Sequence, residues 1–560
     1  MLVDYPPPMA MTRNRWLGLF FLSLGVSLII VDATIVNVAV PSLIADLKIN
    51  SSQAQWIQET YTLVFAALLL VFGRLADVFG RRRMFQLGAL IFLIASAAAA
   101  FAGDGNLLIA ARTIQGIGGA MMLPTSLSLL NATFTGRERG IAFAVWGSTI
   151  GGTAALGPLL GGWLTTNFSW RWAFGINIPL GLMVIIGAWI YVAESRGEEA
   201  EGRPDFIGAV LSVVSIGSIV FGLIEGRVYG WWMPIGNTEL LGYIWTGISP
   251  IPVFFAFGAV TMALFIAYEL RRNRAGKIAL LDLSLFALSS FRNGNFAAAI
   301  VSLGEFGLLF ALPLWLQNSL GHNAFETGAI LLALAIGSFF ASGMASPLTN
   351  KYGAISVVRF GIAFEIIGVA AIGFLVTRTS NDLVIIPALF AYGIGVGLAT
   401  AQLTGVVLAD VPVERGGQAS GTASTVRQLG SALGIAVLGS VLFTTLGSEM
   451  TTNLKAYNAP DSYIGPVVEV TVNSAGANLQ AWSHDTKTAA AGSAGRQALG
   501  TAAQRSAYVG AGFLLLGLLA SLRLKNEVTS RDSLSEDTHD QHKPRKSGKA
   551  KRQPKPRSQR

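Results

Sequence analysis

The chain has 560 residues, and its composition is that of a membrane protein. Hydrophobic residues make up 52% of it and charged residues 13%, about half the charged share of soluble domains. The absence of cysteine excludes disulfides, thiolate metal sites and cysteine catalysis, and the four histidines show no metal-ligand spacing. Nine Lys or Arg residues and no acid lie between Lys543 and Arg560, so the net charge of +9 does not indicate a nucleic-acid partner. We expect this tail to be solvated and disordered, with contact to anionic lipid headgroups as an alternative.

Apolar runs recur about every 25 to 35 residues, and most are long enough to cross about 30 Å of hydrocarbon as a helix. The first run, Trp16 to Val40, follows Arg13 and Arg15 and is too long for the apolar region of a signal peptide. We therefore expect it to remain as a membrane span. The runs predict fourteen spans, at residues 16–40, 54–72, 84–102, 107–130, 141–165, 173–192, 206–225, 251–270, 295–317, 326–348, 356–376, 383–409, 418–445 and 506–523.

The basic residues between the spans predict the orientation of the chain, because cytoplasmic loops carry an excess of Lys and Arg. With the N-terminus inside, fourteen spans place all the basic clusters on the cytoplasmic side. The clusters are Arg81 to Arg83, Arg137 with Arg139, Arg271 and Arg272 with Arg274, Lys351 with Arg359, and Arg415. We therefore predict a multi-pass protein of a bacterial-type inner (plasma) membrane with both termini in the cytoplasm.

Two stretches on the outer side differ from the spans. Residues 226–250 contain Trp231, Trp232, Tyr243 and Trp245, and amphipathic rings favour the headgroup zone, so we predict an interfacial aromatic hairpin. Residues 446–505 are polar and rich in Ala, Gly, Ser and Thr, and we predict a long outer loop of irregular structure.

An internal repeat relates the two halves of the chain. A shift of 273 to 277 residues superimposes Asp77–Gly80 on Asn350–Gly353, Gln115–Gly118 on Tyr392–Gly395, and Arg139–Gly140 on Arg415–Gly416. Spans 1–6 then match spans 9–14 in a parallel repeat, and spans 7 and 8 are unpaired. The predicted fold is an all-α integral membrane protein of two six-helix bundles with two linking helices and a substrate site between the halves. The predicted domains are residues 1–192, 193–292, 293–523 and the tail 524–560.

Several motifs resemble the major facilitator superfamily, and within it the fourteen-helix drug:proton antiporter group typified by EmrB and QacA. The resemblance covers residues 16–523. It rests on Asp32–Pro41 in span 1, Gly73–Met84 between spans 2 and 3, Arg112–Ala120 in span 4, Gly157–Gly162 in span 5 (where Thr153 stands in place of a usual glycine), Trp170–Trp172 with Asn177–Pro179, and Arg427–Gly430 in span 13.

This resemblance implies a proton-coupled exporter of small amphipathic compounds, cationic ones included, of the multidrug efflux type that confers antibiotic resistance. It implies no cofactor and no enzymatic activity. It also implies that the chain functions as a monomer. It also assigns roles to residues: Arg112 to proton coupling; Gly73, Asp77, Gly80 and Arg81 to a conformational gate; and Gly157, Pro158, Gly161 and Gly162 to the antiporter motif. Asp77 would meet the backbone donors at the start of span 13, near Gly417, when the cytoplasmic side is closed. Arg81 to Arg83 could instead be only topology signals.

Asp32 is the acid that the sequence singles out most clearly, because it lies inside an otherwise uncharged span, where an ionised carboxylate costs several kcal/mol. It could carry a proton across the membrane or pair with a cationic substrate, and the alternative is a structural acid that faces the bundle. The repeat places Glu305 of span 9 opposite Asp32; the alternative is a coincidence, since other spans also contain acids, such as Glu365. We therefore predict that both acids line a central cavity at similar depth and couple to protons.

Two further charged residues inside spans, Arg112 and Arg427, have two interpretations each. Arg112 could pair with a carboxylate whose protonation changes, or extend to the outer interface. Arg427 has the same two interpretations, and it is predicted, with Glu365, to face the cavity. Glu225 and Glu269, near span ends, are interpreted as boundary charges.

Other functions remain open from the sequence. The same scaffold could export one endogenous metabolite, a lipid or a siderophore, or the bundle could act as a passive channel or a receptor. No nucleotide-binding Gly-Lys loop is present in the sequence, so ATP is not the predicted energy source.

Overall fold

Lipid offers the backbone no hydrogen bonds, so the apolar segments satisfy their N–H and C=O groups within helices. The computed structural model describes residues 14–49, 51–197, 205–236, 238–240, 243–277, 279–376 and 381–524. The prediction for the basic tail falls almost entirely outside the described residues.

The helices of the first half cover the first six predicted spans. They are α1 (Asn14–Leu47), α2 (Ser51–Phe79), α3 (Arg81–Ala100), α4 (Gly105–Thr133), α5 (Gly136–Asn167), α6 (Arg171–Gly175) and α7 (Asn177–Tyr191). The sixth span is divided between α6 and α7. The linking region that follows contains α8 (Phe206–Tyr229) and α9 (Pro250–Arg274).

The second half has the same sequence of long helices, with two shorter ones inserted. They are α10 (Ser289–Asn318), α11 (Ala324–Tyr352), α12 (Ala354–Leu375), α13 (Asp382–Val407), α14 (Gly416–Ala456), α15 (Asp461–Asn473), α16 (Leu479–His484) and α17 (Ala489–Ser521). Short 3₁₀ turns at Leu283–Ala287 and Val413–Arg415 precede α10 and α14.

Apart from the divided sixth span, each predicted span lies in one of these helices to within two residues at its end. Within the described residues, 13 helical stretches are long and apolar enough to cross a membrane. The fifth predicted span is not among them, although α5 has 32 residues. It packs along α1 and α11 and belongs to the bundle.

Helix packing follows the repeat. In the first half α4 packs on α2 and α3, and α1 packs on α5 and α7. In the second half α13 packs on α11 and α12, and α10 packs on α14 and α17. Each second-half helix is the equivalent of its first-half counterpart under the shift. The halves meet where α5 packs on α11 and α2 packs on α14, which are also equivalent pairs. The predicted fold of two related six-helix bundles is confirmed.

The matched glycines of the repeat have a backbone reason. Gly80 follows α2 with φ of 107°, and Gly353 follows α11 with φ of 82°. Both are in the positive-φ region, where a side chain would be strained, so each tight turn between two membrane helices requires glycine.

The prediction of an irregular loop at 446–505 is wrong. Helix α14 continues to Ala456, α15 and α16 follow, and α17 begins at Ala489. The buried side chains of Ile464, Val467 and Leu479 join the apolar core of the second half. The stretch is dominated by small residues, so it has little apolar periodicity, but alanine favours helix and small side chains allow close packing.

The aromatic segment forms a hairpin. Strand β1 (Glu239–Leu240) pairs antiparallel with β2 (Tyr243–Ile244). Trp232 and Tyr243 are exposed, whereas Trp231 stacks on Phe255 of α9 at 6.5 Å between ring centroids. The interfacial position of this hairpin and the domain boundaries stay predictions.

Candidate functional site

A cavity of about 350 Å³ lies between the two halves. Both bundles line it, through α1, α2, α4 and α5 on one side and α10, α11, α13 and α14 on the other. Most of the wall is apolar, as in Ile29, Leu127 and Phe306, with polar groups such as Tyr61 and Gln428 between them. A largely apolar cavity with a few polar groups is typical of sites for small amphipathic molecules.

Arg427 of α14 is the only charged residue among the described side chains that line this cavity. Its Nη1 donates a hydrogen bond to Thr404 Oγ1 of α13 at 3.1 Å. The described part of the wall therefore carries a cation and no carboxylate of its own.

Asp32 does not line the cavity. Its side chain is fully buried within the first bundle, where it forms an ion pair with Arg112 of α4. Asp32 Oδ1 also accepts hydrogen bonds from Asn177 Nδ2 of α7 at 2.7 Å and from Gln115 Nε2 of α4 at 3.1 Å. Two helices, α4 and α7, thus position the acid of α1, and the expectation that it faces the cavity is wrong.

Arg112 is held on every side, so it does not extend to the outer interface. Its Nε donates to the backbone carbonyl of Ile57 at 3.1 Å, and its Nη1 to Gln115 Oε1 at 3.0 Å. The guanidinium also lies 4.2 Å from the centre of the Tyr61 ring, a favourable cation–π geometry. Because Tyr61 lines the cavity, one aromatic side chain separates the Asp32–Arg112 pair from the substrate space.

The second bundle buries a different charged cluster. Glu305 of α10 and Glu365 of α12 are 2% and 0% exposed, and both interact electrostatically with Arg427. Among the described residues, Glu305 Oε2 and both carboxyl oxygens of Glu365 have no hydrogen-bond partner. Neither acid lines the cavity, so the expected cavity positions of Glu305 and Glu365 are wrong, whereas Arg427, which interacts with both, does line it.

The repeat explains part of this difference. Under the shift, Glu305 corresponds to Asp32 and Tyr392 corresponds to Gln115. As Gln115 contacts Asp32, so Tyr392 contacts Glu305, because its Oη donates to the Glu305 backbone carbonyl oxygen at 3.2 Å. The counterpart of Arg112 is Leu389. The second bundle therefore keeps the buried acid but takes its cation from α14.

Asp77 lies at the end of α2 that is predicted to be cytoplasmic, and it joins the halves. The amides of Gly417 and Gln418, in the first turn of α14, donate to its two carboxyl oxygens at 2.9 and 3.0 Å. Arg81 donates to the same carboxylate through Nε and Nη2 at 3.0 and 2.8 Å. Arg81 Nη2 also donates to the Val413 carbonyl at 2.6 Å, so this arginine does more than mark topology.

The glycines of the predicted gate allow the close approach of α2 and α14. A Cβ on Gly73 would lie 2.5 Å from the Gly417 carbonyl oxygen and 2.8 Å from Gly421 Cα. A Cβ on Gly80 would lie 2.9 Å from the carboxyl group of Glu194, which accepts hydrogen bonds from the Arg82 and Arg83 amides.

The predicted antiporter motif lies in α5 and packs on α1 beside Asp32. A Cβ on Gly157 would overlap Thr34 Oγ1, and one on Gly161 would lie 3.0 Å from the Ile35 carbonyl oxygen. Gly162 is buried, and the side chain of Pro158 lies outside the described residues. These glycines hold α1 against α5 at the level of the buried acid.

Sequence reasoning missed several residues of the site. Gln115 and Asn177 stood within quoted motifs but were not assigned to Asp32. Glu59 of α2 was not singled out, and Glu225 was interpreted as a boundary charge, yet Glu225 is 1% exposed. Their positions near span ends gave no sign that the two acids meet.

Two parallel six-helix halves around a central cavity, with a buried acid–arginine pair beside it, define a membrane transporter whose halves expose a shared site in turn. The family model described as Major Facilitator Superfamily matches residues 22–435, and the chain belongs to this superfamily.

Several curated relatives span most of the chain. It is 35% identical to the probable actinorhodin transporter of Streptomyces coelicolor over 80% of this chain and 75% of that protein. It is 32% identical to the multidrug resistance protein Stp of Mycobacterium tuberculosis, over 80% and 79%. The multidrug efflux pump LfrA of Mycolicibacterium smegmatis is 30% identical, over 78% and 83%.

Solved structures share the fold. The human organic anion transporter MFSD10 matches 92% of this chain and 100% of its own, with a TM-score of 0.57 and 14% identity. The proton:xylose symporter XylE matches 90% and 94%, with a TM-score of 0.57 and 13% identity.

Proposed function

We propose that the chain is a proton-coupled secondary exporter of small amphipathic compounds, of the multidrug efflux type. It would act as a monomer in a bacterial-type inner membrane with both termini in the cytoplasm. The observation that carries this proposal is the buried Asp32–Arg112 pair behind the Tyr61 wall of the cavity. Proton flow into the cell would drive the cycle, without a cofactor or covalent chemistry.

The coupling would act through the charge of Asp32. When Asp32 is ionised, its carboxylate neutralises Arg112 and holds α1 against α4 and α7. A proton on Asp32 would remove that attraction and leave Arg112 held by the Ile57 carbonyl, Gln115 and the Tyr61 ring. An unpaired buried guanidinium is costly, so protonation would favour a rearrangement of α2, which bears part of the cavity wall.

Asp77 would act as the cytoplasmic gate. Its hydrogen bonds to the Gly417 and Gln418 amides exist only while α2 and α14 are in contact. A carboxylate at a helix N-terminus is stabilised by unpaired amides and by the helix dipole. This contact would hold the cytoplasmic side closed while the outer side exchanges substrate for protons.

The cavity wall bears on the choice of substrate. With Arg427 as the charged group on the described wall and no carboxylate among the residues that line it, neutral or acidic amphipathic compounds would bind better than cations. A dedicated exporter of one endogenous metabolite is the second candidate, favoured by the relative named as a probable actinorhodin transporter. Drug export is favoured by the relatives named for multidrug resistance and multidrug efflux.

The test is transport by the purified protein in proteoliposomes with an imposed pH gradient. Ethidium, a cationic dye, and alizarin, an acidic quinone, serve as probes of the two charge classes. We expect uphill movement of at least one probe against proton flow, and loss of that movement in Asp32→Asn. Undiminished uphill transport by Asp32→Asn would contradict the coupling role, and equal transport without a pH gradient would contradict proton coupling altogether.

A further inference from the structure

Two carboxyl groups meet at the predicted outer end of the protein, where α2 packs on the linking helix α8. Glu59 of α2 and Glu225 of α8 lie within hydrogen-bonding reach of each other. The amide of Gln55 connects them, because its Nε2 lies 3.0 and 3.1 Å from the Glu59 oxygens and 3.1 Å from Glu225 Oε2.

One carboxyl oxygen of this pair is buried without a hydrogen-bond donor among the described residues. Glu225 is 1% exposed, and no group in the described residues donates to its Oε1. Two ionised carboxylates so close together in a poorly solvated place repel each other, and one proton shared between them removes that repulsion. The shared proton also supplies the missing donor.

The groups that face the pair offer little positive charge to balance its two carboxylates. Among the described residues, Arg227 and Tyr229 of α8 are the charged or titratable groups that interact with it. Helix α9 contributes Phe254 and Phe255, which pack on the aromatic and glycine face of α8. Helix α14 contributes small residues such as Ala432 and Ala436. One arginine cannot neutralise two carboxylates, so a proton balances the charge.

The pair is connected to the transport path. A second cavity of about 310 Å³ is lined by Glu59 and Arg227, and Thr62 and Gln428 line both this cavity and the central one. Arg227 lies 4.3 Å from the centre of the Phe443 ring of α14, across this second cavity.

The same turn of α2 also contacts the coupling pair. The Ile57 carbonyl accepts the hydrogen bond of Arg112 Nε, and the Tyr61 ring packs under the same guanidinium. Glu59 lies between these two residues in the sequence. A change in the contact between Glu59 and Glu225 would therefore act on the helix segment that supports Arg112.

We propose that Glu59 and Glu225 form a proton-binding pair that takes up a proton from the outer cavity and transmits its charge state through α2 to the Asp32–Arg112 pair. This role rests on the proposed proton-coupled export and extends it to the linking helix α8, which lies outside the two repeated bundles. Removal of either carboxyl group removes the shared proton.

The first test is a pH titration of the full-length protein by infrared difference spectroscopy, with the proton itself as the probe. Protonated carboxyl groups have a distinct carbonyl stretch. We expect the same carbonyl-stretch band, present in the wild type at neutral pH, to be missing from the spectra of both Glu59→Gln and Glu225→Gln. The exposed acid Glu239 of β1 supplies the control, since Glu239→Gln should leave the band unchanged. An unchanged band in either pair variant would overturn the proposal.

The second test is ethidium or alizarin export from proteoliposomes at varied pH on the outer side. In Glu59→Gln and Glu225→Gln, the pH of half-maximal export should move toward acid by about one unit or more. The double variant should add nothing further, and Glu225→Asp, which keeps a carboxyl group, should restore most of the profile. If Asp32→Asn abolishes export while the pair variants keep the wild-type profile, this inference fails and the proposed function stands. If Asp32→Asn exports normally, the proposed function fails first.

Discussion

The contact between Asp77 and α14 allows a quantitative prediction for Asp77→Asn. The carboxylate accepts one hydrogen bond from each of the Gly417 and Gln418 amides, and both acceptors are charged. Such bonds are worth about 1.5–3 kcal/mol each. Asparagine keeps one acceptor oxygen and turns an NH₂ group toward the other amide, so one bond is lost and the other weakened. We expect the closed state to lose about 2–3 kcal/mol, roughly 30- to 150-fold in its population relative to the open state.

Spin-label distances across the predicted cytoplasmic mouth measure that population. The sequence has no cysteine, so single cysteines at Arg83 and Tyr352, both exposed, carry the labels in an otherwise unchanged protein. Asp77→Asn should move the distance distribution toward longer, open values and slow export while probe binding persists.

The matched control is Asp104→Asn. Asp104 caps α4 at the opposite end by accepting the Leu107 amide at 2.9 Å, and asparagine caps helices about as well as aspartate. This variant should keep the distances of the parent. Identical distributions in Asp77→Asn and the parent would refute the gate.

Three further predictions concern the coupling residues and the topology. Arg112→Lys should reduce proton-driven export by at least about tenfold, because an ammonium group lacks the planar fork with which the guanidinium holds both the Asp32 carboxylate and the Ile57 carbonyl. Export assays at matched expression check this prediction, and full activity would contradict it. Glu305→Gln and Glu365→Gln should alter the pH profile of export similarly and non-additively, since both acids face Arg427; additive effects in the double variant would contradict a shared site. Cysteine labelling from outside intact cells should reach a cysteine at Thr452, which is exposed, and miss one in the basic tail; labelling of both from one side would exclude an even number of spans.

The helices and their repeat could be predicted from the sequence because both depend on local features. Apolar length gives the spans, and the turn glycines Gly80 and Gly353 recur at the repeat distance because the backbone there needs positive φ. The region 446–505 could not be predicted in the same way, because helices built from small residues such as those of α17 have no apolar stripe to detect.

The direction of the buried charges could not be predicted either. Helix α1 is apolar on all sides, so the sequence does not tell which face meets the cavity and which meets α4 and α7. The sequence therefore led to the prediction that Asp32 faces the cavity. In the structure, Arg112, Gln115 and Asn177 enclose it instead. The meeting of Glu59 with Glu225 was equally hidden, because it depends on how α8 packs on α2.

The two halves share the same helix packing but differ in the partners of their buried acids. This difference indicates that the two halves have different roles in transport. Helices α1 and α10 occupy equivalent places, and each buries an acid there. The acid of the first half has its own arginine, enclosed behind Tyr61. The acid of the second half shares Arg427, which also lines the cavity, with Glu365. A substrate in the cavity can therefore contact the cation of the second half directly, whereas at the first pair it meets Tyr61, which packs on Arg112. We expect substitutions at Arg427 to change which compounds are exported, and substitutions at Asp32 to change whether export follows the proton gradient.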